Sequence, residues 1–427
     1  MPFAARPALL LLLLCACSDH GAAEPAANSR PARFIALVPQ VGDSKLDRDI
    51  GAMQTRIEAA SEEVLPGLFD RLGRLFIQKA RTTHDTGYYK LTQSCADAID
   101  SYANGSADAM LLRGHCLHSM HKFPEAEKLA RKLVATRGDF ADHGLLGDVL
   151  IDRGDVDGAL DAYQAMLNVK PCLQAYARAA HARWICGDTD GARQLIGLAA
   201  AAGSARDPES LAWTLARRAT IELSAGSLED ASDACSAALA VLPGYAPALL
   251  ARGRIQLARG EAVDAITSLE AAAKANPLPE YRWLLADALR ATGDEARAQI
   301  VEAQLEHDGA IEDPRTYALY LASRGKSVAT AVDLIERELE QRRDVHTLDA
   351  LAWTQCAAGD VTTASSVIRE ALAIGTPDSR LHYHAGVIAM QRGDMTKAKA
   401  HFATAEERQN SLYPSERDDL RTRRKSL

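Results

Sequence analysis

An all-α solenoid of stacked helical hairpins is the fold this sequence predicts, and three observations predict it. Short glycine-centred turns recur at Gly154-Asp155, Gly187-Asp188, Gly226-Ser227, Gly260-Glu261, Gly293-Asp294, Gly325-Lys326, Gly359-Asp360 and Gly393-Asp394, with intervals of 33, 39, 34, 33, 32, 34 and 34 residues. Each glycine separates two stretches whose apolar residues fall at helical spacing. Aromatic residues make up only 5% of the chain while alanine and leucine dominate, as close packing of helices through small side chains requires. A fixed period of this length marks an array in which every unit buries its apolar face on its neighbours.

One unit shows why it is a helical hairpin. In Asp142 to Pro171, Leu146, Gly147 and Leu150 share one face of a first helix, the turn glycine follows, and Ala159, Tyr163 and Met166 face back from a second helix that Pro171 ends. Gly147 and Ala159 permit close approach of the two backbones, and the glycine at the turn accepts a left-handed conformation.

The pattern resembles the tetratricopeptide repeat, which pairs a Leu-Gly or Leu-Ala in the first helix with an alanine, an aromatic or aliphatic residue, a second alanine and a closing proline. Second-helix positions are filled in turn by Ala192 and Ala199, Ala231 and Ala238, Ala265 and Ala272, Ala364 and Ala371, and Ala398, Phe402 and Ala405. Gly253, Leu285-Ala286, Leu351-Ala352 and Gly386 fill the close-packing site of the first helices. Two weaker copies precede them, one around His121-Lys122-Phe123 with Gly114 and Ala126, the other around Gly87-Tyr88-Tyr89. The resemblance covers roughly residues 64 to 410 and implies a right-handed α-α superhelix of about nine to ten hairpins, curved through more than one turn. The family serves very many partners, so the resemblance speaks to fold more than to function.

The remaining segments are assigned by composition and by departures from the period. Residues 1–16 read as a signal peptide, 17–33 as a flexible tether rich in Ala, Ser and Pro, 34–104 as an N-terminal segment holding the degenerate first hairpin, 105–410 as the solenoid, and 411–427 as a C-terminal cap and basic tail. Phe34 to Val38 is a short apolar run expected as a strand-like cover for the first repeat. The 39-residue interval places an extra loop at Ala201 to Pro208, and Ala331 comes one residue late in its unit. Arg421, Arg423, Arg424 and Lys425 read as a solvated, frayed end.

At the N-terminus Arg6 precedes the apolar run Ala8 to Leu14, then Leu14-Cys15-Ala16-Cys17. This resembles a bacterial lipoprotein signal, which implies lipidation of Cys17. Cys15 fits less well, because large Leu14 stands where the processing peptidase prefers a small residue. Ordinary secretory cleavage between Gly21 and Ala27 is the alternative. The run is well short of the ~20 residues a transmembrane helix needs. Ser18 rather than an aspartate after the cysteine implies, by the same resemblance, the periplasmic face of the outer membrane.

Net charge is −8, with 57 acidic and 49 basic residues, which argues against sequence-independent binding of nucleic acid. Six cysteines remain beyond the signal: Cys95, Cys116, Cys172, Cys186, Cys235 and Cys356. None shows metal-type spacing, and Cys95 with Cys116, on neighbouring antiparallel helices, is the one candidate disulfide. Metallohydrolase, serine-hydrolase, phosphate-loop and dinucleotide motifs are absent. His115, His118 and His121 share a helix face and offer a sterically possible metal site. The reading preferred for them is structural, and no metal or cofactor is expected.

The family's register implies which residues face a ligand. With each turn glycine counted as the fifteenth residue, the inward positions of the first helix are the second, fifth, ninth, twelfth and thirteenth. Trp184, Trp213, Trp283 and Trp353 all fall on that set, beside His181, Arg254, Asp287, Arg290, Arg315, His346, Asp349 and Tyr383. Rigid rings with a few charges on a concave wall suit an extended peptide or partner helix. A one-residue shift would instead place Trp283 or Trp213 in the interhelix core. The expectation is a non-enzymatic scaffold for protein partners of a cell-envelope assembly, secretion or export complex. A chaperone or adaptor for extended peptides is the alternative, and a metal-dependent enzyme a third reading.

Overall fold

A computed structural model describes residues 32–427 of the chain, so the segment read as a signal peptide, Cys17 and nearly all of the segment read as a tether lie outside the described residues. Ten helical hairpins run from Leu65 to Glu407, preceded by helices Ala32–Ala36 and Lys45–Glu58 and followed by helix Pro414–Lys425. No strand occurs among the described residues. The two helices of each hairpin pack antiparallel, and each hairpin packs on the next, giving the right-handed superhelix of paired helices.

The alanines that carry the period do the packing expected of them. Ala159, Ala192, Ala231, Ala265, Ala298, Ala364 and Ala398 are all fully buried. A β-carbon on Gly253 would stand 2.6 Å from the Leu269 side chain, so only glycine allows that approach. The late alanine of the eighth hairpin is accommodated locally. Its turn holds two left-handed residues, Gly325 and Ser327 (φ 62° and 43°), the second helix starts one position later at Val328, and Ala331 is again fully buried.

One segment differs from expectation, and two open readings are decided. Ala32–Ala36 is a single helical turn, with Phe34 exposed and Ala36 fully buried. The reason is hydrogen bonding: a strand needs a partner edge, which a stack of helices lacks, whereas a helix satisfies its own backbone. Gln54 completes the cover by donating to the carbonyls of Ala36 and Val38 at 3.1 and 3.0 Å. Cys95 and Cys116 are buried free thiols; Cys116 donates instead to the Tyr89 carbonyl at 3.6 Å. The C-terminal cap is a helix, Pro414–Lys425, as the polar segment after the last hairpin implied, with Leu420 and Arg417 buried and Arg421, Arg424 and Lys425 exposed, ordered rather than frayed. The extra residues near Ala201 are shared between a loop and a longer first helix, Pro208–Ser224.

The superhelix closes on itself after five to six hairpins. The Arg343 amide donates to the Asp152 carbonyl at 3.1 Å, Arg153 donates to the Gln341 carbonyl at 2.9 Å, and Thr376 Oγ1 donates to the Ile185 carbonyl at 2.6 Å. Turn glycines make this contact possible. Gly154 and Gly187 both sit at φ 85°, and a β-carbon on either would lie 2.5 Å from the Arg343 carbonyl oxygen or 2.6 Å from that of Gly375. Equivalent glycines at 226, 260, 293 and 359 meet nothing within 4 Å. At these two glycines the turns of the ring bring backbone against backbone, with the Arg153 and Thr376 side chains bonding beside them.

Candidate binding groove

First helices line the inside of the ring, and what they present changes along the chain. On helix Pro208–Ser224, residues Trp213, Arg217, Thr220, Ile221 and Ser224 recur every three or four positions and so share the inner face. Helix Leu173–Ile185 presents Ala177, His181, Trp184 and Ile185 in the same way. Helices farther on supply Arg254, Arg315, His346 and Asp349. Across the ring these residues enclose a central chamber of about 380 Å3.

Within the chamber, polar groups hold one another in fixed orientations. The Trp184 ring lies roughly parallel to those of His181 and His346, with centroids 6.4 and 6.3 Å away. Arg315 lies 3.1 Å from Asp344. Burial pushes the Asp344 carboxyl up, yet Arg315, His346 and Arg342 outweigh it and hold the group at about 2. His181 is driven the other way. Burial and the charge of Arg217 press it down to about 3, so its ring is neutral and its Nδ1 accepts from Arg217 at 2.7 Å.

Toward the N-terminal end the inner wall stays open, forming a cleft of about 310 Å3. Asp148 anchors it, accepting from Arg178 Nε and Nη2 at 2.8 Å each and from the Tyr163 hydroxyl at 2.9 Å. His118 meets Asp152 at 3.0 Å. Burial lowers the His118 pKa, but the bond to Asp152 and the field of Asp148 and Asp152 outweigh it and leave it raised. Trp213 borders this cleft with 37% of its surface exposed.

At the C-terminal end the same wall is covered by the chain itself. After the last hairpin, residues 409–425 fold back across the concave face. Tyr413 packs edge-on to Trp283 at 4.9 Å, with the Arg380 guanidinium 4.2 Å above its ring, and its hydroxyl donates to Glu280 at 3.1 Å. Ser415 donates through Oγ and its amide to Asp287 at 2.6 and 3.2 Å, and Glu416 sits 2.7 Å from Arg380. Tyr383 donates to Asp419 at 2.7 Å. Leu412, Tyr413 and Leu420 are all buried.

The residues singled out by register divide accordingly. His181, Trp184, Arg254, Arg315, His346 and Asp349 meet around the chamber, and Trp213 borders the open cleft. Trp283 and Asp287 face inward but lie buried beneath residues 413–415. Trp353 stacks on His384 at 4.0 Å and donates to Ser323 at 2.9 Å, while Tyr383 engages the C-terminal helix. Arg290 turns away from the wall to Glu295 and Glu302 on its own second helix. The histidines at 115, 118 and 121 do not converge: His121 stacks on Phe123 while His118 binds Asp152. Among the described residues no cluster of three His, Cys, Asp or Glu side chains is arranged to hold a metal.

Register reasoning missed Arg217, the covering segment and the Asp148–Arg178 anchor. Arg217 is in fact four residues after Trp213 on one helix face, a spacing visible in the sequence. The cover has no such signal, since it lies beyond the last repeat.

Comparison with known proteins bears on the repeat itself. The family model for the tetratricopeptide repeat matches residues 216–277 and 250–306. No curated protein matches the sequence. Among solved structures, the type IV pilus biogenesis factor PilW is 16% identical, covering 48% of this chain and 94% of its own, with a TM-score of 0.39. A tetratricopeptide repeat protein from Parabacteroides merdae is 17% identical (58% and 96% covered, TM-score 0.33). Human IFIT1, solved as a dimer with PPP-AAAA, is 12% identical (90% and 95% covered, TM-score 0.46). At such identities and scores these likenesses say nothing about what this chain binds. The matched residues, 216 to 306, lie within a run of hairpins of one design, and that stretch of the chain is similar to the tetratricopeptide repeat.

Proposed function

We propose that this protein is a non-enzymatic scaffold that gathers protein partners of a bacterial cell-envelope assembly, secretion or export complex, tethered by lipid on Cys17 at the periplasmic face of the outer membrane. The anchoring part of the reading rests on the N-terminal sequence, Arg6 through Ser18. The binding part rests on one observation above the others: the open cleft beside Trp213, where a large exposed ring stands next to a rigid Asp148–Arg178 pair. Such a site offers apolar area at low entropy cost with charges to set register.

A photo-crosslinking residue placed at 213 in living cells tests this. Adducts with envelope proteins are expected from position 213 and not from buried position 283. Adducts arising instead from the exposed side at Val263 would sink the groove assignment. Loss of acyl labelling in Cys17→Ser tests the anchor separately.

A second reading, an adaptor for extended peptide segments, is favoured by the seat of residues 409–425. The C-terminal half of the groove already holds a peptide, its own. Promiscuous capture of unrelated peptides by the purified protein would favour this reading over a dedicated scaffold.

A further inference from the structure

One cation inside the ring is not neutralised by the protein. Four guanidinium groups line the central chamber. Arg315 has Asp344 at 3.1 Å, Arg380 has Glu416 at 2.7 Å, and Arg254 has Glu280 at 3.7 Å. Arg217 has no carboxylate within salt-bridge distance among the described residues; its one polar contact is the bond to His181 at 2.7 Å, with Trp213 6.0 Å away as a weak cation–π partner. Burial pulls the Arg217 pKa below its ordinary value; Glu280 offsets this in part, and the charge of Arg254 adds to it.

The chamber's own acids do not fill the gap, because each is engaged elsewhere. Asp152 binds His118 at 3.0 Å, Asp349 binds His384 at 2.8 Å, and Glu280 accepts from Tyr413 as well as facing Arg254. Asp344 is taken by Arg315. Asp378 accepts the Arg380 amide at 2.9 Å and stands 3.9 Å from His346. His181 cannot supply a countercharge either. A guanidinium only donates, so Nδ1 of His181 must be the acceptor and the ring proton sits on Nε2. Arg217 is half-buried; a cation in that position without a carboxylate partner is disfavoured, and an anion entering the chamber would remove that penalty.

We propose that the central chamber binds a small organic anion. Its carboxylate or phosphoryl oxygens are taken by the Arg217 guanidinium. Its carbon body rests on Ile185, Ile221 and Val345, which line the same space. At about 380 Å3 the chamber suits a metabolite-sized molecule and excludes a folded partner. This site adjoins the open cleft beside Trp213 and shares Ile151, Asp152 and His181 with it, but it takes a small anion rather than a protein, so the two readings fail separately.

The purified protein is titrated at constant ionic strength with hexanoate, succinate and inorganic phosphate, with chloride as control, following thermal melting and tryptophan fluorescence. A saturable rise in Tm is expected with at least one organic anion and not with chloride. Phosphate binding more tightly than both organic acids would sink the apolar-wall assignment. Arg217→Met is expected to melt at or above the parent temperature without ligand, because an uncompensated charge is gone, and to weaken anion binding at least tenfold. Arg217→Lys, which keeps the charge but loses the planar fork, is expected to weaken it as well. Arg183→Gln, on the neighbouring helix but facing solvent, should leave the response intact. The absence of any saturable shift in the parent, an undiminished response in Arg217→Met, or a variant less stable than the parent would each overturn the proposal.

Discussion

The two ends of the inner wall are built from the same repeat in the same register, yet one is open and the other is sealed. Around Trp213 and Asp148 the first helices face an open cleft; around Trp283 and Asp287 other inward positions of the same repeat lie under Tyr413 and Ser415. The difference teaches that register decides which way a side chain points and not whether it is reachable. Reach depends on what the curvature of the superhelix brings back, here a segment about four hairpins further along the chain.

The largest expected effect breaks that contrast directly. Tyr413→Ala removes the ring wedged between Trp283 and Arg380 and is expected to cost about 3–5 kcal/mol in denaturant unfolding. It should also raise acrylamide quenching of Trp283. Trp213→Ala at the open end is expected to cost under about 1 kcal/mol while abolishing partner crosslinks. Equal costs at the two sites would mean that the C-terminal segment is not packed as described.

A finer comparison sets one turn glycine against another. Gly187→Ala and Gly359→Ala both force an alanine into a left-handed backbone, costing about 1–2 kcal/mol. Only the first also drives a β-carbon into the Gly375 carbonyl. It is therefore expected to lose about 1–3 kcal/mol more and to open the contact between turns of the ring. Matching losses, read by chemical unfolding, would deny that the ring closes there.

Acid should destabilise the folded chain. His115 and His181 are held near 3, far below the ordinary 6.5, so the folded protein binds fewer protons than the unfolded chain between those values. Stability is fully present above pH 6.5 on their account and falls as pH drops through that window. His118 carries the opposite sign, its raised pKa adding stability below 6.5 that is lost as pH rises. His84, His121, His346, His382 and His401 are lowered as well, so with seven lowered histidines against one raised, Tm is expected to fall by about 3–5 °C from pH 7 to pH 5. His181→Gln should flatten part of that slope. The smallest effect concerns the loop at 202–207, where brief proteolysis is expected to cut near Ser204 ahead of the hairpin turns.

Much of the fold was legible because its signals are local. Glycine at each turn and alanine five residues later report a close approach that no larger residue tolerates, and Ala159 through Ala398 are fully buried as that logic demands. The inward set was legible for the same reason at His181, Trp184, Arg254, Arg315, His346 and Asp349. It failed to describe Arg290, whose long side chain swings to Glu302, because a flexible stem with a strong ionic partner overrides the direction of its Cα–Cβ bond. It omitted Arg217 because the longer helix after the irregular interval presents residues off the standard positions.

By itself, then, the order of residues determined the hairpin, its length, its stacking and the sign of the chain's charge, all of which depend on neighbours within about one repeat. Only the tertiary structure decided that Gly154 meets Arg343, that Tyr413 covers Trp283, and that Arg217 is left facing a chamber without a carboxylate. Those outcomes depend on the accumulated rotation of five or six stacked hairpins. A small angle per repeat, invisible in any one of them, sums to a closed ring and selects which distant groups become partners.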